Sequence, residues 1–527
     1  MQHIIRFLVL FSLCCTPLLS GESHALASSG SKPPDTLVLA IGGEDKTGYD
    51  PTLGWGRYGS PMFQSTLLKF DADMKIVNDL ATAYSLSKDG LVWTIDIRHD
   101  VKFSNNTPLT AEDVAFTFNT AAKSGGLVDL AHMAVAKALD RNRVKIALKE
   151  NDSTFTNRLI TLGIVPKNFH SPDYPRKPIG SGPYMLEEWN EGQQMIGKAN
   201  PYYYGAQPFF KRIVFLFTPE DTSFAAAKAG HVQMAVVPAM LAKQHVPGMT
   251  IHAVKSVDNR GLMFPTVPDT GKKTDKGYSI GNNVTADPAI RRAITIAIDR
   301  KALVQGVLEG YGRPAYGVCD GLPWDNSNNS FQDNDQAGAA ALLQKAGWID
   351  SDGDGIREKK GLKAEFTIIY PANRSERQYM ALSVADTLKK IGIQANVEEK
   401  PDFDEIQKVM HKDVVVFGWG AHDPMELYQL YNTKFAGVEY NNVGYYSNPQ
   451  VDENLEKAIS ARNLEEAIPF WQAAQVYVKE DAPWTWMVNL DHTYFVNDHL
   501  DIGKSQIEPH GHGWPITANI HEWKWKK

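Results

Sequence analysis

Two histidine-bearing stretches are the parts of this 527-residue chain best equipped for chemistry. In Pro509-His510-Gly511-His512-Gly513-Trp514 a glycine separates two imidazoles. The glycines give either ring freedom to turn toward a metal ion, but in an extended segment successive side chains point to opposite sides, so one of His510 and His512 is expected as a ligand. In Gly418-Trp419-Gly420-Ala421-His422-Asp423-Pro424-Met425, an imidazole stands beside a carboxylate. His422 can coordinate a borderline metal through one ring nitrogen. Asp423 can pair with a cation through a charge-assisted hydrogen bond. Asp350-Ser351-Asp352-Gly353-Asp354-Gly355 looks like the first half of a calcium loop. Its twelfth position, which needs a bidentate carboxylate, is Gly361, so the run reads as an Asp/Gly turn. There is no HExxH helix, GxSxG elbow or phosphate-cradling loop, and the expectation is a protein that performs no catalysis and carries no cofactor.

The elements that must position these groups are mixed strands and helices. Thr36–Ile41 reads as a buried strand, and Leu91–Ile97 alternates as one. Thr110 with Asp113 three positions on approximates a capping box for the helix that follows. Long helical patterns run over Pro288–Leu308, Ala337–Ala346 and Tyr379–Ile391, which places the chain among α/β proteins of several domains. Hydrophobic residues make up 43% and charged residues 22%, which excludes collagen-like and disordered classes. A net charge of −7 argues against nucleic acid as a partner. The 12 Trp and 20 Tyr suit a protein that lines a cleft.

The first residues read as an address. Arg6 precedes an apolar run from Phe7 through Leu19, and Ala25-Leu26-Ala27 offers a cleavage site, so residues 1–27 are expected to be a secretory signal. Lipidation at Cys14 or Cys15 is the less favoured alternative, because Leu13 and Cys14 are not the small residues it requires. Cleavage leaves Cys319 as the single cysteine, expected to be a core or loop thiol.

Lys88–Arg98, continuing through Val101-Lys102-Phe103-Ser104 and Ala111-Glu112-Asp113-Val114, strongly resembles the family 5 extracellular solute-binding proteins, the peptide- and nickel-binding components of ABC importers. Ile179-Gly180-Ser181-Gly182-Pro183-Tyr184 resembles their glycine-rich crossing between lobes. Asn200–Tyr204, Ala226–Gly230, Arg291–Arg300 and Ala337–Trp348 extend the likeness in order.

The resemblance implies a two-lobe periplasmic binding protein fold of the class II type, with an additional domain inserted in the first lobe. The expected first lobe is 36–73, 180–262 and 493–527, the additional domain 74–179 and the second lobe 263–492. It also implies a monomer in the periplasm that encloses a small ligand and delivers it to an inner-membrane ABC permease. In the peptide-binding branch a carboxylate sits three residues after the loop tryptophan and pairs with the peptide amine; here that position is His422. Nickel-binding relatives carry their histidine after the Asp-Pro pair, where this chain has Met425, so His422 would take that role. Arg374 resembles the arginine that holds the ligand carboxylate in dipeptide-binding relatives, and Arg57 lies on a first-lobe loop that faces the cleft. Tyr58, Trp419 and Trp514 are the expected aromatic walls. The expected cargo is nickel as a chelate with histidine or a similar amino acid; the alternative is a dipeptide or oligopeptide, with Asp423 on its amine and Arg374 on its carboxylate.

Overall fold

Two long antiparallel strands, Met249–Met263 and Trp484–Asn497, run side by side through the middle of an eleven-stranded sheet. The structure, a computed structural model, describes residues 35–45, 47–59, 62–124, 128–372, 374–511 and 514–527. The expected signal segment 1–27 and His512 therefore lie outside the described residues.

To one side of the long pair lie Val414–Phe417, Glu365–Pro371 and Gln394–Lys400, mutually parallel. Their residues alternate between two cores. Ile368, Val414 and Val416 face the helices Pro288–Ala297 and Ser375–Lys389, while Ile369, Val415 and Phe417 face Met425–Tyr431 and Leu464–Asp481. Period-two alternation with both faces buried is what a parallel sheet between helical layers requires. To the other side lie Met234–Val237, Thr36–Ala40, Arg212–Leu216, Gln194–Ala199 and Tyr184–Asn190, packed on a core rich in Trp55, Phe63, Phe215 and Trp514. These halves are the two lobes.

The additional domain is a separate antiparallel sheet of Ala81–Leu86, Val92–Ile97, Arg143–Leu148 and Met133–Ala138. Trp93, Ile95 and Ile97 point from it into one core with Val114 and Phe118 of the helix Ala111–Ser124. The Asp113 carboxylate accepts the Thr110 N–H at 2.8 Å and the Thr110 hydroxyl at 3.0 Å, which closes the start of that helix.

Two sequence expectations change. The pattern over Pro288–Leu308 is two helices, Pro288–Ala297 and Arg300–Gly306, because Asp299 breaks the first and caps the second, accepting the Ala302 N–H at 2.8 Å. The glycine-rich segment 179–184 does not cross between the lobes. It feeds Tyr184–Asn190 at the outer edge of the sheet, and a Cβ on Gly180 would lie 1.8 Å from the Phe63 carbonyl oxygen, so its glycine serves a close approach to that backbone. The long strands Met249–Met263 and Trp484–Asn497 make the crossing instead. No helix among the described residues is long and apolar enough to cross a membrane.

Candidate functional site

The ladder between the crossing strands loses register between Lys255 and Asn259. This bulge frees Ser256, Val257 and Asp258 from strand pairing and turns Asp258 into the interior. The C-terminal segment fills the gap: the Val257 N–H donates to the Glu508 carbonyl at 2.8 Å and the Glu508 N–H to the Lys255 carbonyl at 2.9 Å. The bulge also receives the loop 418–424, since the Asn259 N–H reaches the Trp419 carbonyl at 2.9 Å and the Asn259 side chain accepts the Trp419 N–H at 3.0 Å. Gly420 has φ +144°, and a Cβ there would lie 2.3 Å from the Val257 carbonyl oxygen, so the loop can settle on the bulge only with glycine.

This arrangement unites the two histidine stretches. The His510 N–H donates to the Gly420 carbonyl at 2.7 Å, two residues before His422. Tyr58 stands 6.4 Å from the His510 ring, and the Arg57 guanidinium lies over Tyr58 at 4.8 Å. The backbone of the loop 418–424 and the segment that carries His510, with Tyr58 and Arg57 beside it, thus adjoin, while Asp423 pairs with Arg158 and Trp419 packs against the second-lobe core.

A network of buried charges backs the histidines. Asp258 Oδ1 meets His510 Nδ1 at 2.6 Å and Arg260 Nη1 at 2.5 Å, while Oδ2 meets His492 Nε2 at 3.2 Å. His492 Nδ1 meets Glu508 at 2.5 Å, and the Tyr494 hydroxyl donates to the same oxygen at 2.9 Å. Burial alone would raise the Asp258 carboxyl, but Arg260 and the two histidines hold it well below the usual carboxylate range. Burial pulls His492 down, yet Asp258 and Glu508 push it up to about 10, so it is an imidazolium between two carboxylates. His510 moves the other way, lowered chiefly by burial. An ionised Asp258 can only accept, so Nδ1 of His510 carries the proton and Nε2 the lone pair; a carboxylate on the far nitrogen is how proteins orient a metal-binding imidazole.

His422 has no such partner. Burial lowers it to about 4, so its ring is neutral at physiological pH, and its Nε2 finds no hydrogen-bond partner among the described residues. Its ring packs against Phe70 in a T-shaped pair, with centroids 5.8 Å apart. Glu426 holds the loop, its two carboxylate oxygens accepting the Gly420 and Ala421 N–H groups at 2.8 and 3.3 Å, and burial pushes it up to about 8.

The cleft residues belong to a recognisable lineage. A sequence model described as bacterial extracellular solute-binding proteins, family 5 Middle, matches residues 75–441. The chain belongs to this family. Among curated relatives, protein XP55 of Streptomyces lividans is 31% identical, over 93% of this chain and 90% of the relative. The oligopeptide-binding protein AppA of Bacillus subtilis is 26% identical over 99% and 98%. Among solved structures, NikZ of Campylobacter jejuni in complex with Ni(L-His) superposes with a TM-score of 0.82 at 26% identity, covering 94% of this chain and all of NikZ. Family 5 proteins are solute-binding components that work with ABC transporter permeases, and this binding protein has their two-lobe architecture.

The structure places other expected residues elsewhere. Trp514 is core: it stacks on Phe215 at 4.4 Å and Phe217 at 6.2 Å, and its indole N–H donates to the Gly43 carbonyl at 3.2 Å. It cannot serve as a cleft wall because it is 5% exposed within the first-lobe core. Arg374 is 53% exposed at the start of the helix Ser375–Lys389, 3.7 Å from Glu220 of the first lobe. Asp423 is already paired with the Arg158 guanidinium. Arginines that composition concealed lie deeper than Arg374. Arg260 stands 3.7 Å from Glu376, and Arg377, pulled down to about 9 by burial and then by Arg260, donates to the Val416 carbonyl at 2.6 Å.

Sequence reasoning missed Asp258, Arg260, Glu426, His492, Glu508, Arg377 and Arg158. A usable signal was present for some: Ser256, Asp258, Asn259 and Arg260 are polar residues leading straight into Gly261-Leu262-Met263, and the strand buries all of them, whereas Thr250, Ala253 and Lys255 at its start are exposed. The Asp350 run is an exposed turn in which Asp350 accepts the Gly353 and Gly355 N–H groups. Its carboxylates converge with Glu358, not with position 361, and Lys363 neutralises Asp352 and Asp354. Cys319 is buried, its thiol donating to Gln475.

Proposed function

We propose that this protein captures nickel as a chelate with histidine or a similar amino acid and delivers it to the permease of an ABC importer. The observation that carries this reading is the pairing of a buried, neutral His422 whose Nε2 has no hydrogen-bond partner among the described residues with a His510 oriented by Asp258, on two segments joined by the Gly420–His510 hydrogen bond. Nickel prefers four or six donors in square-planar or octahedral geometry, more than these imidazoles supply. An amino-acid chelator contributes the rest and brings a carboxylate, for which Arg57 beside His510 offers a charge partner. The likeness to NikZ in complex with Ni(L-His) supports the same class of cargo.

The competing reading is a dipeptide- or oligopeptide-binding protein, and the near full-length match to an oligopeptide-binding protein favours it. Calorimetry separates the two. The purified binding protein is expected to take up nickel with L-histidine and to give no heat with a dipeptide mixture. Tight dipeptide binding without metal would overturn the nickel assignment.

A further inference from the structure

The loop that carries His422 also carries a carboxylate with both oxygens occupied. Asp423 Oδ1 accepts the Met425 N–H at 3.0 Å, and Oδ2 receives the Arg158 guanidinium. Arg158 comes from the helix Phe155–Thr161, whose Phe155, Leu159 and Ile160 sit in the core of the additional domain, whereas the helix after Asp423 sits in a core of the second lobe. The pair therefore joins two separately packed cores, next to a second link in which the Ser153 N–H donates to the Ile459 carbonyl at 2.9 Å. Arg158 is held in place independently of Asp423: its Nε donates to the Asp129 carbonyl at 2.7 Å and its Nη2 to the Thr154 hydroxyl at 3.4 Å. Burial disfavours its charge, but Asp423, Asp152 and Asp129 outweigh that and keep it fully cationic. Side-chain exposure is 6% for Arg158 and 22% for Asp423, so the pair is largely desolvated.

We infer that Arg158 is a specificity-determining residue: by filling the Asp423 carboxylate with a cation of the protein's own, it excludes ligands that would dock a free ammonium on this loop. The inference rests on the nickel-chelate reading and sharpens it. An amino acid chelating nickel gives the lone pair of its amine to the metal, so that nitrogen bears no ammonium charge and needs no carboxylate. A peptide with a free amino terminus does need one, and on this loop it meets a carboxylate whose charge Arg158 already compensates. Discrimination by leaving a buried charge without a partner is stronger than discrimination by shape.

The test uses the full mature chain and its Arg158→Gln and Arg158→Met variants, each shown to be folded by circular dichroism. Either variant suffices if the other fails to fold. Calorimetry is run with nickel plus L-histidine, with Ala-Ala and with N-acetyl-Ala-Ala. Removing Arg158 is expected to raise affinity for Ala-Ala by about tenfold or more, ~1.4 kcal/mol, with no gain for the acetylated peptide. Adding Asp423→Asn to the variant is expected to cancel the gain. A folded variant with no gain for the free amine, or an equal gain for the acetylated peptide, overturns the inference. A wild type silent toward nickel plus histidine, with the amine-specific gain still present in the variants, overturns the nickel reading and leaves the role of Arg158 standing.

Discussion

Two desolvated ion-pair regions flank the cleft, and they differ in what happens when the lobes part. The hinge network of Asp258, His492, Arg260 and Glu508 lies on the crossing strands and the segment woven into them, so it is expected to stay buried when the lobes part. The Arg158–Asp423 clasp joins two packed cores, so opening is expected to let water reach both charges. Burial of a charge is thus a permanent constraint at the hinge and a switchable one at the clasp. An internal salt bridge contributes to stability only through the alternatives open to its partners.

Removing the hinge carboxylate tests the first half of this contrast and has the largest expected effect. Asp258→Ala leaves the His492 imidazolium and Arg260 buried without it, and should cost about 3–5 kcal/mol in urea unfolding. A loss below about 1 kcal/mol would mean the hinge can relax as the clasp does. Glu426 gives a pH-dependent effect. Its folded-state pKa is raised to about 8, so the folded protein binds more protons than the unfolded chain above the ordinary glutamate range, and stability falls as pH rises through about 8. Glu426→Gln should remove about 2–3 kcal/mol of that decline between pH 5.5 and 8, read from melting curves at each pH.

The clasp should behave differently. Arg158→Gln is expected to change urea stability by about 1 kcal/mol or less, because opening solvates Asp423, while the radius of gyration in solution scattering increases. An unfolding penalty as large as that of Asp258→Ala, with no change in size, would break the comparison. Arg374→Ala has the smallest expected effect on stability. Its pair with Glu220 spans the lobes in solvent, and loss of the pair should cost within ~0.5 kcal/mol in the same urea series.

Much of the scaffold was legible from the sequence because it follows from local rules. The alternation in Val92–Ile97 and the Thr110/Asp113 start of a helix need no tertiary information. His422 and His510 were legible as candidate donors for the same reason: imidazole chemistry is intrinsic to the residue. Their juxtaposition was not, because it depends on a bulge at 256–258 that lets two remote segments dock on one strand. Trp514 shows the converse error. A tryptophan beside a histidine pair looks like a wall, but four aromatic side chains from elsewhere in the chain, Tyr49, Trp55, Phe215 and Phe217, claim it for the core. Arg158 lies in a short helix of mixed polarity, where nothing local indicates that a carboxylate 265 positions away will meet it.

His422→Leu separates binding from folding at the site itself. A neutral ring whose Nε2 has no hydrogen-bond partner among the described residues gives up none of their bonds there, so the variant should melt close to wild type while its affinity for nickel plus histidine in calorimetry falls ~100-fold. The most direct measurement is an anomalous difference map at the nickel absorption edge, from crystals grown with nickel and L-histidine. The account predicts one peak in the cleft at coordination distance from a nitrogen of His422 or His510, with amino-acid density completing its coordination. A cleft filled by peptide density with its amine on Asp423, or a nickel peak distant from both histidines, would contradict it.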